Sequence, residues 1–175
     1  MSRAPRNAVF ALGLALALVA GCAAAEAPSN EIVEFRLVAA TKDRQLYFAP
    51  QFLERAGTGA RGVFLDSFPE GRRMPRNVMV GSAVQVIGTR CDAATIWTES
   101  SLLRAGPGMT GGMVGLTTTR SVPGKVVPGS IAAFQQAVLC GDPEALRAQH
   151  TRVRLEHPDI PATLTVRVED MRGVR

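Results

Sequence analysis

The feature that most constrains the fold is the alternation of apolar side chains between Val78 and Arg90. Valines recur there at every second position, with one serine among them, so they would share one face of a β-strand. Shorter runs of β-forming residues, separated by glycine and proline signals, flank this strand on both sides. They cover 32–40, 45–49, 61–68, 94–103, 114–119 and 164–168. Several short strands with turn signals between them are typical of an antiparallel sheet.

A single strong helix signal follows most of the strands. Ser130 comes after a Pro-Gly turn and is a favourable N-cap residue. Apolar residues recur at helical spacing from Ile131 to Leu139, and Gly141 suits the helix end. Residues 143–150 indicate a further helical segment. The sequence therefore predicts an α+β fold in which an antiparallel β-sheet packs against one C-terminal α-helix.

Prolines and glycines predict where the strands stop. Pro50 is expected to end a strand, with a helical turn over 51–55, and a loop rich in Gly, Pro and Arg is expected over 69–77. The glycine-rich segment 106–115 lacks the Lys-Ser/Thr pair of a phosphate-binding loop and is interpreted as a mobile hairpin loop. We expect Trp97, the central strand and the helix to supply the core.

The first 21 residues predict an export signal. A positively charged start precedes an apolar run that is too short to span a membrane comfortably. Small residues before Cys22 resemble a lipobox, so we expect Cys22 to be the lipid-modified first residue of the mature protein. The alternative is ordinary cleavage after the Ala-rich stretch 23–27, which would leave a soluble protein. Ala23, in place of an aspartate, favours the outer membrane. We therefore predict an outer-membrane lipoprotein of the cell envelope, anchored by its N-terminal lipid and facing the periplasm or the cell surface.

This signal and the later patterns divide the chain. Residues 1–21 are the predicted signal peptide, 22–34 a tether, 35–142 the α+β domain and 143–175 a C-terminal extension. The formal charge is +5, and removal of the two signal arginines leaves 18 basic against 15 acidic residues, or +3. A nucleic-acid-binding protein would carry a strong basic stripe, so we expect no nucleic acid partner.

Two cysteines remain once Cys22 is assigned to the lipid. A pair such as Cys91 and Cys140 in an oxidising compartment is most simply a disulfide, here between a strand end and a helix end. The alternative is a redox-active or metal-binding pair. The chain has no C-x-x-C motif, and neither histidine lies near a cysteine in the sequence.

No group of residues indicates catalysis. The G-x-S-x-G frame of α/β-hydrolases is absent, the carboxylates are scattered, and His150 and His157 lie in basic or loop-like sequence. A metal site needs three or four converging ligands, so we expect both histidines to be solvated surface residues. We therefore predict a non-enzymatic protein with no catalytic residues, no metal and no cofactor.

Three arginines stand close together in the segment GRRMPRN. Arg72, Arg73 and Arg76 would suit a sulfated or phosphorylated polymer, because the planar guanidinium matches oxyanions. The alternative is a solubilising loop that binds no ligand.

Three further stretches carry motifs in a characteristic order. The first is LYFAP at 46–50, followed by Gly57 and the strand 62–67. The second is IGTRCDAATIWTESSLL at 87–103, and the third is VPGSIAAFQQAVLC at 127–140. Together they resemble the surface-adhesin protein E-like family of bacterial envelope lipoproteins and exported proteins.

The resemblance covers residues 35–142 and implies an antiparallel sheet against a helix, a Cys91–Cys140 bridge and homodimers. It also implies a protein ligand, since some members bind host matrix proteins such as laminin, vitronectin or plasminogen. The chain departs from the family's pattern at Ala49, where aspartate is common, and at 92–96, where the usual arginine is missing. We therefore expect a lipid-anchored envelope binding or structural protein; the alternative is an accessory subunit of an envelope assembly or secretion complex.

Overall fold

The computed structural model describes residues 31–141 and 143–174. Eight strands and two helices follow one another along this part of the chain. The strands are β1 (Ile32–Ala40), β2 (Gln45–Ala56), β3 (Gly59–Met74), β4 (Val78–Arg90), β5 (Thr95–Arg104), β6 (Met113–Thr117), β7 (Gly124–Lys125) and β8 (Thr163–Arg167). The helices are α1 (Ile131–Cys140) and α2 (Pro143–Glu156).

All eight strands belong to one antiparallel, curled sheet. Its order is β6-β5-β4-β3-β2-β1-β8, and β7 pairs with the other end of β5. The first six strands lie side by side in chain order, whereas β8 joins β1 only after both helices have passed. The curl brings the two ends of the sheet together, and Arg104 of β5 donates to the carbonyl oxygen of Asp170, after β8, at 2.9 Å.

The inner face of the curled sheet holds the larger core. Alternate residues of the strands point into it, because side chains in a strand alternate between the two faces. Phe35, Tyr47 and Leu65 are fully buried there. Val168 and Met171, which follow β8, pack on the same cluster and are also buried. The part of the chain after α2 therefore completes the inner core.

The outer face of the sheet packs against the helices. Ser130 caps α1, because its Oγ accepts a backbone N–H of the first helical turn at 3.2 Å. Val138 and Leu139 of α1 are buried against Phe48, and Leu146 of α2 joins the edge of this cluster. The smaller outer core thus depends on both helices.

A disulfide ties α1 to the sheet. Cys91, in the turn after β4, is bonded to Cys140, the last residue of α1, with an Sγ–Sγ distance of 2.04 Å. The prediction of an antiparallel sheet, a C-terminal helix and this bridge is confirmed. The fold is more strongly β than predicted, however, and it carries two helices on the sheet rather than one.

Two predicted breaks are wrong. The helical turn predicted over 51–55 is part of β2, which continues through Pro50, and much of the loop predicted over 69–77 is part of β3, which continues through Pro69 to Met74. Each proline lies where the pairing with a neighbouring strand shifts register. Proline lacks a backbone N–H, so a strand tolerates it where no ladder hydrogen bond is lost.

Two other expectations also change. Trp97 is only half-buried, in contact with Gly88 and beneath the guanidinium of Arg120, which lies 4.0 Å from the ring centroid. The segment 106–115, predicted to be a mobile loop, is held to β4 because Ser82 Oγ both donates to its backbone (2.7 Å) and accepts from it (3.0 Å).

Candidate functional site

A groove lies between α2 and the outer face of β1 and β2. It encloses a cavity of about 590 Å³, within the range of about 300–1,000 Å³ common for small-molecule sites. We call it the α2 groove: its floor is formed by Val38, Phe48, Leu53 and Leu146, and its rim by polar residues of β1, β8 and α2. The apolar floor continues into the outer core, since all four floor residues belong to that cluster.

A β-bulge in β1 allows α2 to dock beside the groove. The pairing of β1 with β2 shifts register between Leu37 and Ala39. Gln149 Nε2 donates to the Val38 carbonyl oxygen at 3.2 Å, and His150 Nδ1 lies 2.8 Å from the Leu37 carbonyl oxygen. These two bonds hold α2 along β1 and give partners to backbone acceptors near the bulge.

The contact with β1 fixes the tautomer of His150. The Leu37 carbonyl oxygen can only accept, so Nδ1 must carry a proton, and in the neutral ring Nε2 is then an acceptor. No hydrogen bond to this Nε2 is present among residues 31–141 and 143–174. The half-buried ring of His150 therefore combines a structural contact with a free acceptor at the groove.

Charged side chains stand at the groove and beside it. Arg36 Nε donates to Glu34 Oε1 at 2.8 Å, and Arg147 Nη2 lies 3.6 Å from Glu144 Oε1. All four side chains are at least 46% exposed, so these ion pairs are weak and can exchange partners. Arg36, Arg147 and Glu34 line the groove itself, which gives this part of the rim a net charge of 2 − 1 = +1.

A second cavity, of about 350 Å³, lies against the inner core. Arg61 borders it, with Nε donating to Glu99 Oε2 at 2.6 Å and Nη1 3.4 Å from Glu54 Oε2. Burial disfavours the charge of this guanidinium, but the interactions with Glu99 and Glu54 outweigh burial and raise the pKa of Arg61. This cavity is smaller than the α2 groove, and its guanidinium is held by two carboxylates, which makes it the weaker candidate for a ligand.

The structure describes two of the three cysteines that the sequence predicts as site residues. Cys22, the signal peptide 1–21 and the first part of the tether lie outside the described residues. Cys91 and Cys140 form the predicted disulfide, so the redox-active or metal-binding alternative is not the arrangement seen in this structure.

The three arginines of GRRMPRN do not share one face. Arg72 and Arg73 are successive residues of β3, opposite Val80 and Met79, so their side chains leave on opposite sides of the hairpin. Arg76 lies in the turn between β3 and β4, with a φ of 65°. Binding of a polyanion by this segment stays a prediction, and it would have to use both sides of the hairpin.

The sequence interpretation missed His150. It was expected to be solvated like His157, but both are half-buried, and His150 also anchors α2. A signal was available, since Leu146, His150 and Val153 recur at the i, i+4, i+7 spacing of a helix face that packs on a sheet. A histidine on such a face is expected to have a hydrogen-bond partner.

Residues 31–141 and 143–174 contain no assembled metal site and no helix that could span a membrane. Within them, no group of three or more His, Cys, Asp or Glu side chains is arranged to hold a metal ion. Neither helix of this part of the chain is long and apolar enough to cross a membrane.

No family model and no curated protein matches the chain. A solved structure, that of protein E from non-typeable Haemophilus influenzae, aligns with 72% of this chain and 95% of its own, at 12% sequence identity and a TM-score of 0.45. The structural similarity is weak, and membership of the family stays a prediction.

Proposed function

We propose that the chain is a lipid-anchored, non-enzymatic binding protein of the bacterial cell envelope, and that the α2 groove is its ligand site. The observation that carries the proposal is the groove itself, a concave apolar surface with a few polar side chains at its rim. This combination is the usual form of a small-molecule binding site.

Two features support a location in the envelope. Residues 1–21 have the pattern of an export signal, and Cys22 stands where a lipid anchor is expected. The Cys91–Cys140 disulfide suits an oxidising compartment such as the periplasm or the cell surface. We assign the protein to the outer membrane because Ala23, and not an aspartate, follows Cys22.

The polar groups of the groove support binding rather than catalysis. A nucleophilic hydroxyl needs a base within hydrogen-bond reach. Thr151 Oγ1 instead donates to the carbonyl oxygen of Arg147 at 3.1 Å, and among the described residues neither Thr151 nor Thr163 is hydrogen-bonded to the open Nε2 of His150. The groove therefore offers contacts for a ligand without an activated nucleophile.

A narrower form of the proposal is that the chain binds host matrix proteins, as the family resemblance implies. Binding of the mature chain to immobilised laminin and vitronectin tests this form. A variant with Arg72, Arg73 and Arg76 replaced by alanine tests whether the hairpin contributes to this binding. Unchanged binding by that variant would show that the three arginines do not contribute.

The second candidate is an accessory subunit of an envelope complex, with a partner docked on the outward side of α2. Leu155 on that helix is 76% exposed, which favours a contact there. Residues 143–175 cannot simply be deleted as a test, because they supply β8 and part of the inner core. Leu155→Glu is the sharper variant, since it would abolish capture of such a complex without touching the core.

Mass spectrometry under non-denaturing conditions tests the groove directly. The native chain isolated from the envelope is expected to retain a bound compound. Thr151→Trp places an indole in the groove and should remove the compound, whereas Ala148→Trp, at an exposed position of α2 outside the groove, should keep it. A native chain without a bound compound, or equal behaviour of the two variants, would contradict the proposal.

A further inference from the structure

We infer that the α2 groove binds a single-chain fatty acid, with the hydrocarbon chain on the floor and the carboxylate between Arg36 and Arg147. The inference rests on the proposed function, because it names the ligand of the same site. It comes from the combination of a continuous apolar floor with two guanidiniums at the rim.

The floor is suited to a hydrocarbon chain. Val38 and Phe48 are almost fully buried in the outer core, while Leu53 and Leu146 are half-buried beside them. A hydrocarbon chain laid in the groove would remove its own apolar surface from water together with that of Leu53 and Leu146, and such burial is the main source of affinity for apolar ligands.

The rim is suited to a carboxylate. Arg36 uses Nε for Glu34, and its two terminal nitrogens have no hydrogen-bond partner among the described residues. Among the described residues the guanidinium of Arg147 pairs with Glu144, at 3.6 Å, and the guanidiniums of Arg36 and Arg147 are both well exposed to solvent. Each can therefore present a planar pair of donors to a carboxylate, the geometry that arginine recognises best.

The rest of the rim orients the head group. Thr163 lies opposite Arg36 in the β1–β8 pair and offers a hydroxyl donor beside that guanidinium. His150 presents an acceptor in its present tautomer, which disfavours a carboxylate close to its ring. The carboxylate of the ligand is therefore expected to face the guanidiniums and not the Nε2 of His150.

The size of the cavity favours one chain rather than two. A volume of about 590 Å³ suits a single small molecule. The groove has one apolar floor, so a phospholipid would leave a second acyl chain in water. A free fatty acid buries its whole chain and keeps its charge at the rim.

Displacement of cis-parinaric acid, a fluorescent fatty acid, measures the binding. The assay uses the whole mature chain from residue 22 with Cys22→Ser, so that no attached lipid competes, at ligand concentrations below micelle formation. Palmitate is expected to displace the probe, and each methylene removed should weaken binding by up to about four-fold. Hexadecanol, with the same chain and no charge, should bind about three- to ten-fold more weakly.

Matched variants locate the hydrocarbon chain and the carboxylate of the bound fatty acid. Thr151→Trp should abolish displacement by palmitate and Ala148→Trp should not. Arg147→Gln should weaken the binding of palmitate by about three- to ten-fold and leave the binding of hexadecanol unchanged. Arg152→Gln makes the same change of charge on α2 outside the groove, where Arg152 pairs with Glu156 at 3.8 Å, and should change neither ligand.

The outcomes separate this inference from the proposed function. Equal binding of palmitate and hexadecanol would overturn the assignment of the carboxylate, and binding that Thr151→Trp leaves intact would overturn the assignment to the groove. If no fatty acid binds but the native chain retains another compound that Thr151→Trp loses, the ligand class is wrong and the groove remains the site. If neither is found, the proposed function fails as well.

Discussion

The two helices on the outer face of the sheet are held in different ways. α1 is linked covalently through Cys91–Cys140, its Leu139 is fully buried, and Arg55 Nε donates to the Leu139 carbonyl oxygen at 2.9 Å. α2 has no crosslink: its Val153 is buried in the inner core, and side-chain hydrogen bonds, including that of His150, hold the helix to the bulged strand β1. Only Leu146 of α2 reaches the outer core cluster.

This difference suggests that one helix belongs to the scaffold and the other forms a wall of the site. No residue of α1 lines the α2 groove. A helix held along one edge leaves a cavity beneath its other edge, and it can move at a lower free-energy cost than global unfolding.

Removal of the disulfide is expected to have the largest effect. The bridge joins residues 49 positions apart, and the chain-entropy model gives such a crosslink about 4 kcal/mol of the free energy of unfolding. Denaturant unfolding of the native chain with and without reductant measures the loss. The Cys91→Ser, Cys140→Ser double variant serves as the control, because reductant should not destabilise it further. A loss below about 1 kcal/mol would mean that α1 does not depend on its crosslink.

Shortening one leucine on each helix compares their packing directly. Leu139→Ala should lower the free energy of unfolding by about 3 kcal/mol, because it empties a fully buried position. Leu146→Ala should cost about 1 kcal/mol, because this leucine is half-buried at the groove. Denaturant midpoints of the two variants measure the difference. Equal losses in the free energy of unfolding would show that the two helices are packed equally well on the sheet.

Alkaline titration tests the sheet beneath α2. Tyr47 lies opposite Leu37 in the β1–β2 pair, is fully buried, and burial raises its pKa from 10.0 to about 12. The contribution of the buried Tyr47 phenol to the free energy of unfolding is fully present below pH 10. It is lost as the pH rises towards 12, because the tyrosine ionises first in the unfolded chain, and the loss reaches about 2–3 kcal/mol.

The measurement is unambiguous because Tyr47 is the one tyrosine of the chain. Its phenolate absorbance should appear near pH 12 in the folded protein and near pH 10 in denaturant. Tyr47→Phe should remove this part of the pH dependence. Ionisation near pH 10 in the folded protein would show that the inner core does not shield Tyr47 from water.

The strands with a clear side-chain pattern could be predicted from the sequence. β4 begins and ends where the alternation predicts, and the N-cap at Ser130 and the bridge between Cys91 and Cys140 are also as expected. These features depend on local signals: side-chain period, a capping hydroxyl and a pair of cysteines in an oxidising compartment. Local signals of this kind can be recognised in the sequence without knowledge of the rest of the fold.

The features that escaped prediction depend on pairing between distant strands. Pro50 and Pro69 read as strand ends, yet both strands continue because a register shift accommodates each proline. The groove depends likewise on a bulge at Leu37 and on where His150 meets it, 113 positions later. Nothing near either residue in the sequence specifies that register.

The smallest expected effect concerns the hydrogen bond that holds α2. His150→Phe keeps the ring but leaves the Leu37 carbonyl without its donor, and should lower the free energy of unfolding by about 1 kcal/mol. His157→Phe, a matched change at a half-buried histidine just beyond α2, should stay within about 0.5 kcal/mol of the native chain. Hydrogen exchange should then show faster opening of α2 and unchanged protection of α1. Faster exchange in both helices would mean that they open as one unit, and α2 would then be scaffold rather than an independently held wall of the groove.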